Sequence, residues 1–369
     1  MHRLQCQKSL IARLKFYLMH NPLLQVESDS VLGWDVGGAH LKAALLSFKG
    51  EVLQVYQVAC PLWRGMEALE HALLEILSQL KHPPQHHFVT MTGELVDIFP
   101  HRRAGVLQIS AFMTEHLSGE VQFYSAKQSF VSLSEVSLCA EFIASANWHA
   151  SASFIANSVK QGLLIDIGST TTDLILLKDG AVASQGFSDA ERMRFNELIY
   201  AGVVRTPLMA LCHKIMFNGH LVNVAAEHFA TASDVYRLTN ELALEDDMAE
   251  SADGMGKTEL ESARRLARMI GHDVEDADIG AWRMLALEFR EAQLMRLQEA
   301  ISHLLHLDNN ARLIGAGAGR FLVRALAERL NKPYVDVESF LKTASASVHW
   351  AGVCLPAVAV ASLSIGRKC

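Results

Sequence analysis

The strongest constraint on the fold of this chain is an internal repeat. DVGGAHLKAALLSFKG, beginning at Asp35, is echoed by DIGSTTTDLILLKDG, beginning at Asp166. At that spacing of 131 residues (166 − 35), Asp35 aligns with Asp166, Gly37 with Gly168, Lys42 with Asp173, and Leu45-Leu46 with Leu176-Leu177. Each copy reads as a buried strand ending in Asp, a tight turn, and a second strand running back. Asp179-Gly180 supplies the next turn after the second copy. A chain of 369 residues, half of them apolar, is long enough for about two domains, and the repeat places one copy in each.

Between the copies, Met66, Leu69, Leu73, Ile76 and Leu80 recur at helical spacing and Pro83-Pro84 follows, which predicts a core-facing helix of about 16 residues. HFVTMTGELVD (87–97) alternates as a strand ending at Thr92-Gly93-Glu94. Residues 190–307 read as mainly helical, with Thr258 and Glu261 as a capping box and Gly271 as a terminator. ARLIGAGAGRFLVRALAERL then reads as strand, glycine turn and helix, and PYVDV as one more strand.

A net charge of −7 argues against nucleic acid as the main partner, because phosphate backbones attract clustered Lys and Arg. The six cysteines, Cys6, Cys60, Cys139, Cys212, Cys354 and Cys369, show no metal-binding spacing and read as reduced thiols of a cytoplasmic protein. Neither end of the chain reads as a membrane span. The apolar stretches before Ser30 are short and broken, which leaves an amphipathic extension or an upstream start with Met19 as an internal alternative. WAGVCLPAVAVASLSIG contains Pro356, is shorter than the ~20 residues a spanning helix needs, and reads as a buried final helix.

The repeated turn has a chemical purpose. An Asp at a strand end beside glycines sets a carboxylate next to backbone N–H groups that a phosphate can approach closely, since no Cβ stands in the way. The carboxylate can hold a hydrated Mg²⁺ that bridges phosphate oxygens. Two such turns across one cleft grip a polyphosphate from both sides, whereas a single turn is equally explained as a carboxylate capping its own loop.

DVGG with its following strand, DIGSTTTD, and IGAGAGRFL, in that order, resemble the two phosphate motifs and the adenosine motif of the actin, heat-shock-ATPase and sugar-kinase superfamily. DIGSTTTDLIL is especially similar to hydantoinase and oxoprolinase sequences. GWDVGGAHLKAA, TMTGELVD, YAGVVRTP, HFATASDVYRLTNEL and ADGMGKTELESARRLARMIG together resemble proteins linked to tetrahydromethanopterin-dependent one-carbon transfer, from about residue 31 to the C-terminus. The resemblance implies an α/β, two-lobed actin-like (ribonuclease-H-like) fold with a central cleft. The expected division is an extension at 1–30, a first lobe at 31–160, and a second at 161–369 carrying the helical insertion.

That resemblance also implies a reaction. The family's condensing enzyme joins a furan-methanol diphosphate to the phenolic oxygen of γ-glutamyltyramine, releases diphosphate and forms an aryl ether; a tyrosine-derived phenol is the alternative acceptor. The implied cofactor is Mg²⁺, the partners are small molecules with neither nucleic acid nor membrane, and a homo-oligomer is allowed. Under this reading Asp35 and Asp166 bind the metal or its waters, and Gly37, Gly38, Gly168, Ser169, Thr170 and Thr171 bind the diphosphate. Lys42 either neutralises a phosphate oxygen or points to solvent. A phenol with pKa near 10 needs a proton acceptor at neutral pH, and Asp173 and Glu94 are the candidates against a plain structural role in each case. Arg102, Arg103 and Arg205 are candidate grips for the glutamyl carboxylate, with Arg205 of VVRTP preferred. Gly315, Gly317 and Gly319 form the nucleotide-like loop, although the condensation requires no adenosine.

Other signals are weaker. GMGKT (254–258) imitates the end of a Walker A loop, but Ser251 replaces its first glycine, so only a loop contact is expected of Lys257. GAGAGR (315–320) resembles a dinucleotide fingerprint with Arg320 in place of the last glycine. His82, His86, His87 and His101 lack a completing Cys or carboxylate and read as a solvated loop. Two further functions are compatible with the fold: an ATP-dependent kinase of a small metabolite, and a non-catalytic actin-like nucleotide-binding regulator.

Overall fold

The first copy of the repeat folds as β1 (Ser30–Val36) and β2 (His40–Ser47) in a computed structural model that describes residues 30–306, 311–343 and 348–366. Met19, Cys6 and the rest of the expected extension before Ser30, together with Cys369, lie outside the described residues. The next strands are β3 (Glu51–Ala59), β4 (His86–Met91), β5 (Glu120–Ser125) and β6 (Ser129–Val131). They lie in the order β3-β2-β1-β4-β5-β6. β2 runs antiparallel to β1 and β3, while β4 is parallel to β1 and β5 parallel to β4.

The second copy repeats this plan. β7 (Gln161–Ile167) and β8 (Thr172–Lys178) are antiparallel, and β9 (Ala181–Val182) and β10 (Leu198–Ile199) both pair with β8. Asp179 and Gly180 turn β8 into β9 with φ of +54° and +76°, the left-handed geometry that Asp-Gly hairpins favour. After a separate hairpin, β11 (Lys214–Phe217) with β12 (His220–Asn223), come β13 (Leu313–Ala316) and β14 (Tyr334–Asp336), each parallel to its neighbour beside β7. Two sheets that each join an antiparallel hairpin to parallel crossover strands make the two-lobed, actin-like α/β fold. β15 (Lys342–Thr343) returns to the free edge of β3 in the first sheet.

Helices cover the sheets. They are α1 (Met66–Gln79), α2 (Arg102–His116), α3 (Leu133–Ile143), α4 (Asn147–Ala156), α5 (Asp189–Arg194), α6 (Ala232–Leu238), α7 (Glu259–Met269), α8 (Ile279–Leu305), α9 (Arg320–Arg329), α10 (Val348–Val353) and α11 (Leu355–Ile365). α1 buries Leu69, Leu73 and Ile76, the face expected from their spacing. α7 starts on the Thr258–Glu261 capping box, and Gly271 follows it with φ of +76°. The insertion shares a core with the second sheet: Trp282, Phe289 and Leu297 of α8 pack in one cluster with Leu163 and Ile165 of β7.

The GMGKT loop is held by this packing and is far from a Walker A geometry. Lys257 pairs with Asp247 at 3.3 Å, and Arg265 donates to the Gly256 carbonyl at 3.1 Å. Arg265 and Arg237 share buried Asp234, both at 2.8 Å, so the charges of this motif are spent on one another. Among the described residues no helix is long and apolar enough to cross a membrane.

The final helix is buried, as its apolar sequence predicts, but it lies on the first sheet. Val358 and Val360 of α11 share a core cluster with Val31, Ala44 and Phe88. Gly33 makes the close approach possible, because a Cβ there would run into the Ala357 carbonyl. Together with β15, α11 carries the end of the chain back from the second sheet to the first. Gly33→Ala is expected to lower stability by about 2 kcal/mol through overpacking, read as a lower urea midpoint at unchanged m value. Leu138→Ala, at a side chain 84% exposed, is the control and is expected to stay within about 0.5 kcal/mol. Equal midpoints for Gly33→Ala and wild type would mean that α11 is not seated on β1.

Candidate functional site

Both acidic hairpins open onto one cleft of about 290 Å³, at the lower end of the range for small-molecule sites. Strand register places the key side chains: Asp35 stands opposite Lys42 across β1–β2, and Asp166 stands opposite Asp173 across β7–β8. Even the turn closures match, with the Gly37 amide donating to the His40 carbonyl at 3.0 Å and the Gly168 amide to the Thr171 carbonyl at 2.9 Å. Asp35, Gly37, Gly38, Lys42, Asp166, Gly168, Ser169, Thr170, Thr171, Asp173 and Arg205 all line the cleft.

The second turn is braced from outside by YAGVVRTP. The Gly202 amide donates to the Thr170 carbonyl at 3.0 Å, Val203 to Gly168 at 3.0 Å, and Val204 and Arg205 to Ser169 at 3.1 and 2.8 Å. In a trans peptide the N–H points opposite to its carbonyl, so anchoring these carbonyls on one side turns the Ser169, Thr170 and Thr171 amides the other way. A Cβ on Gly202 would strike the Thr170 nitrogen, so only glycine lets the brace approach this closely.

Like charge concentrates here. Burial raises the Asp35 carboxyl to about 6, with Lys42 opposing and Asp173 adding to the rise. Burial likewise raises Asp166 to about 7, reinforced by Asp173 and Asp35 and opposed by Lys42. Lys42 faces the cleft and donates to the Val353 carbonyl at 3.0 Å. Burial pulls its ammonium down, but Cys354, Asp35, Asp166 and Asp246 outweigh that and raise it. His40 is pushed down to about 4 by burial, then by Lys42 and Arg205, and is neutral at pH 7.

Leu95, Val96, Trp148, Leu198 and Tyr200 also line the cleft. Arg192, fully buried, holds Asp173 at 2.9 Å and lies 4.0 Å from the Trp148 ring centre. Burial raises Asp173 and Arg192 opposes the rise. Arg102 of α2 reaches Asp189 of α5 at 2.9 Å and ties the two walls together. Arg103 donates to the Ser137 carbonyl, whereas Arg205 lies exposed, 5.2 Å from the Trp63 ring centre.

Six sequence-derived candidates are not among the cleft-lining residues: Glu94, Arg102, Arg103, Gly315, Gly317 and Gly319. Gly315 lies under the Tyr334 ring, the Gly317 amide donates to the Gly352 carbonyl at 3.2 Å, and the Gly319 amide donates to the Ile167 carbonyl at 2.8 Å. Glu94 sits just behind the wall, 1% exposed, and accepts a hydrogen bond from Ser145 at 2.8 Å. The histidines scatter: His86 meets Glu120 at 3.1 Å, buried His87 accepts from the Trp34 indole at 3.2 Å, and His101 caps α2.

Among the described residues no three His, Cys, Asp or Glu side chains form a metal cage. Magnesium needs less, since it binds through one or two carboxylates with substrate phosphates and waters completing its shell. Asp35 Oδ1 is buried with no protein hydrogen-bond partner, beside the charge of Asp166. A carboxylate left in that condition fits Mg²⁺ shared with a phosphate group.

The hydantoinase/oxoprolinase family pattern matches residues 86–355. This chain belongs to the hydantoinase/oxoprolinase family. Within that family it is 30% identical over 246 residues to the (4-{4-[2-(gamma-L-glutamylamino)ethyl]phenoxymethyl}furan-2-yl)methanamine synthase of Methanocaldococcus jannaschii, covering 66% of this chain and 72% of the relative. The synthase of the same name from Methanococcus vannielii is 29% identical over 182 residues, 49% of this chain and 82% of that one. A nucleotide-free structure of acetone carboxylase matches with a TM-score of 0.50 at 11% identity, over 90% of this chain and 70% of that one, which supports the fold alone.

Several residues of this hydantoinase/oxoprolinase-family site escape sequence reasoning. Gly202 and Tyr200 stand in YAGVVRTP, where the sequence singles out Arg205 alone as a site residue. Arg192 and Trp148 come from separate segments that only folding brings to the cleft.

The raised carboxyls predict a specific pH dependence. A carboxyl with a higher pKa in the folded state favours folding below its unfolded pKa, and that contribution is lost as pH rises through the folded value, here from about 4 to about 7. Wild-type protein in a chelator is therefore expected to melt at lower temperature at pH 8 than at pH 5. Asp166→Asn is expected to flatten that slope and to raise Tm at pH 8 by several degrees. A Tm at pH 8 below wild type would show that Asp166 is stabilised, not strained, by its surroundings.

Proposed function

We propose that this protein condenses a furan-methanol diphosphate with the phenolic oxygen of γ-glutamyltyramine or a tyrosine-derived analogue, releasing diphosphate. The observation that carries the reading is the pair of matched acidic hairpins facing one cleft that aromatic and apolar side chains also line. The name of the 30% identical relative describes a product in which a phenol oxygen is joined to a furan-bearing methylene, the bond such a cleft is suited to make.

The Gly38, Ser169, Thr170 and Thr171 amides are assigned to the diphosphate, Gly37 and Gly168 let it approach the turns closely, and Lys42 is the protein cation beside it. Asp35 and Asp166 are assigned to Mg²⁺, which when bound neutralises charge on the leaving diphosphate. The phenol must lose its proton as its oxygen attacks. Asp173 is already held by buried Arg192 at 2.9 Å, so we assign it to positioning. Burial raises Glu94 to about 7, close to the ideal for a proton acceptor at neutral pH, with the Ser145 hydrogen bond opposing. The new bond forms between phenol oxygen and furan methylene as the methylene–oxygen bond to diphosphate breaks, its electron pair leaving with diphosphate. Leu95, Val96, Trp148, Leu198 and Tyr200 flank the aryl group and exclude water, and exposed Arg205 is the cation kept for a substrate carboxylate.

Purified protein with Mg²⁺, furan-methanol diphosphate and candidate phenols is expected to release aryl ether and diphosphate in equal amounts. Lys42→Met and Asp35→Asn are each expected to lower kcat/KM by about a hundredfold or more. Phosphorylation of a small metabolite by ATP, with no ether formed, would support the kinase reading instead.

A further inference from the structure

Glu94 poses a problem that its own environment answers. It follows β4 in the short turn Gly93–Leu95 and is held from behind by Gly105 of α2, where any Cβ would strike the Glu94 backbone. At 1% exposure it does not line the cleft, so it cannot touch a phenol there. Its Oε2 has no protein hydrogen-bond partner, and its Oε1 accepts from one group, the Ser145 hydroxyl at 2.8 Å.

Ser145 does line the cleft, as do the apolar residues assigned to the aryl group, and its hydroxyl donates to Glu94 behind it. It joins α3 to α4 and holds φ at +50°, left-handed backbone that serine seldom adopts. Glycine or asparagine would meet that backbone requirement better, so backbone geometry does not explain a serine. Its hydroxyl can accept one proton while donating its own, which neither of those residues can do.

We propose that Ser145 is the residue that touches the acceptor's phenol and relays its proton to Glu94. The inference rests on the condensation reading above. As the phenol oxygen attacks the furan methylene, its proton passes to Ser145 Oγ while the Ser145 hydroxyl proton passes to Glu94 Oε1. Ser145 ends unchanged, Glu94 ends neutral, and the electron pair of the broken bond leaves on diphosphate. The charges facing Glu94 are Arg102 on α2 and Asp189 on α5, which pair with each other at 2.9 Å and largely cancel.

The test uses the full-length protein, Mg²⁺, furan-methanol diphosphate and the phenol that wild type turns over. Ser145→Gly is the informative variant, because it relieves the backbone while deleting the hydroxyl. Its Tm is expected to match or exceed wild type, its KM for the diphosphate to stay within about twofold, and its kcat to fall about a hundredfold. Wild-type kcat/KM is expected to rise with pH through about 7, where Glu94 ionises, and Ser145→Gly and Glu94→Gln to lose that limb. The double variant is expected to be no slower than Glu94→Gln, since the two act as one unit. Ser145→Ala serves the same comparison if the glycine variant does not fold. Wild-type kcat in Ser145→Gly, or multiplying losses in the double variant, would overturn the relay while leaving the condensation intact. Wild-type protein that makes no ether with any phenol would overturn the condensation itself, and the relay with it.

Discussion

Burial of several carboxylates together in one cleft is the constraint on which the site depends. Asp35, Asp166 and Asp173 come from two hairpins in two sheets; burial raises all three, Asp173 adds to the rise at Asp35 and Asp166, and Asp35 adds to it at Asp166. Such an arrangement destabilises the folded protein above neutral pH unless cations offset it. Lys42 offsets part, which is why its ammonium is held so firmly. The remainder is the negative charge that the proposed magnesium-bound phosphate group would offset.

The rest of the fold keeps that charge in place. Strand register sets which residues oppose each other, and the outer brace from Gly202 to Arg205 aims the second turn's amides. The buried ion pairs among Asp234, Arg237, Asp247 and Arg265 hold the loop from which Asp246 reaches the charge of Lys42 and His40. A motif that imitates a phosphate-binding loop in sequence therefore contributes through packing.

The two parts of the cleft lining differ in how they are written into the chain. The acidic hairpin turns are local: residues within each hairpin form them, so a repeat of a few residues displays them. The apolar lining draws on the turn after β4, α4, β10 and the segment after it, and no short stretch contains it.

Much of the architecture was therefore legible in sequence. The duplicated hairpin, the face of α1, the Thr258 cap and the buried last helix follow from periodicity and turn chemistry, which are local effects. The sequence by itself determined the two acidic turns, because an apolar run ending in Asp and glycine folds locally as a strand and a tight turn. Only the tertiary structure decided that Asp173 is paired with Arg192, that Glu94 stands behind Ser145, and that the third glycine loop gives the Gly317 and Gly319 amides to its own chain. Those outcomes depend on contacts between residues tens to hundreds of positions apart, and the pattern of any one segment carries no record of its distant neighbours.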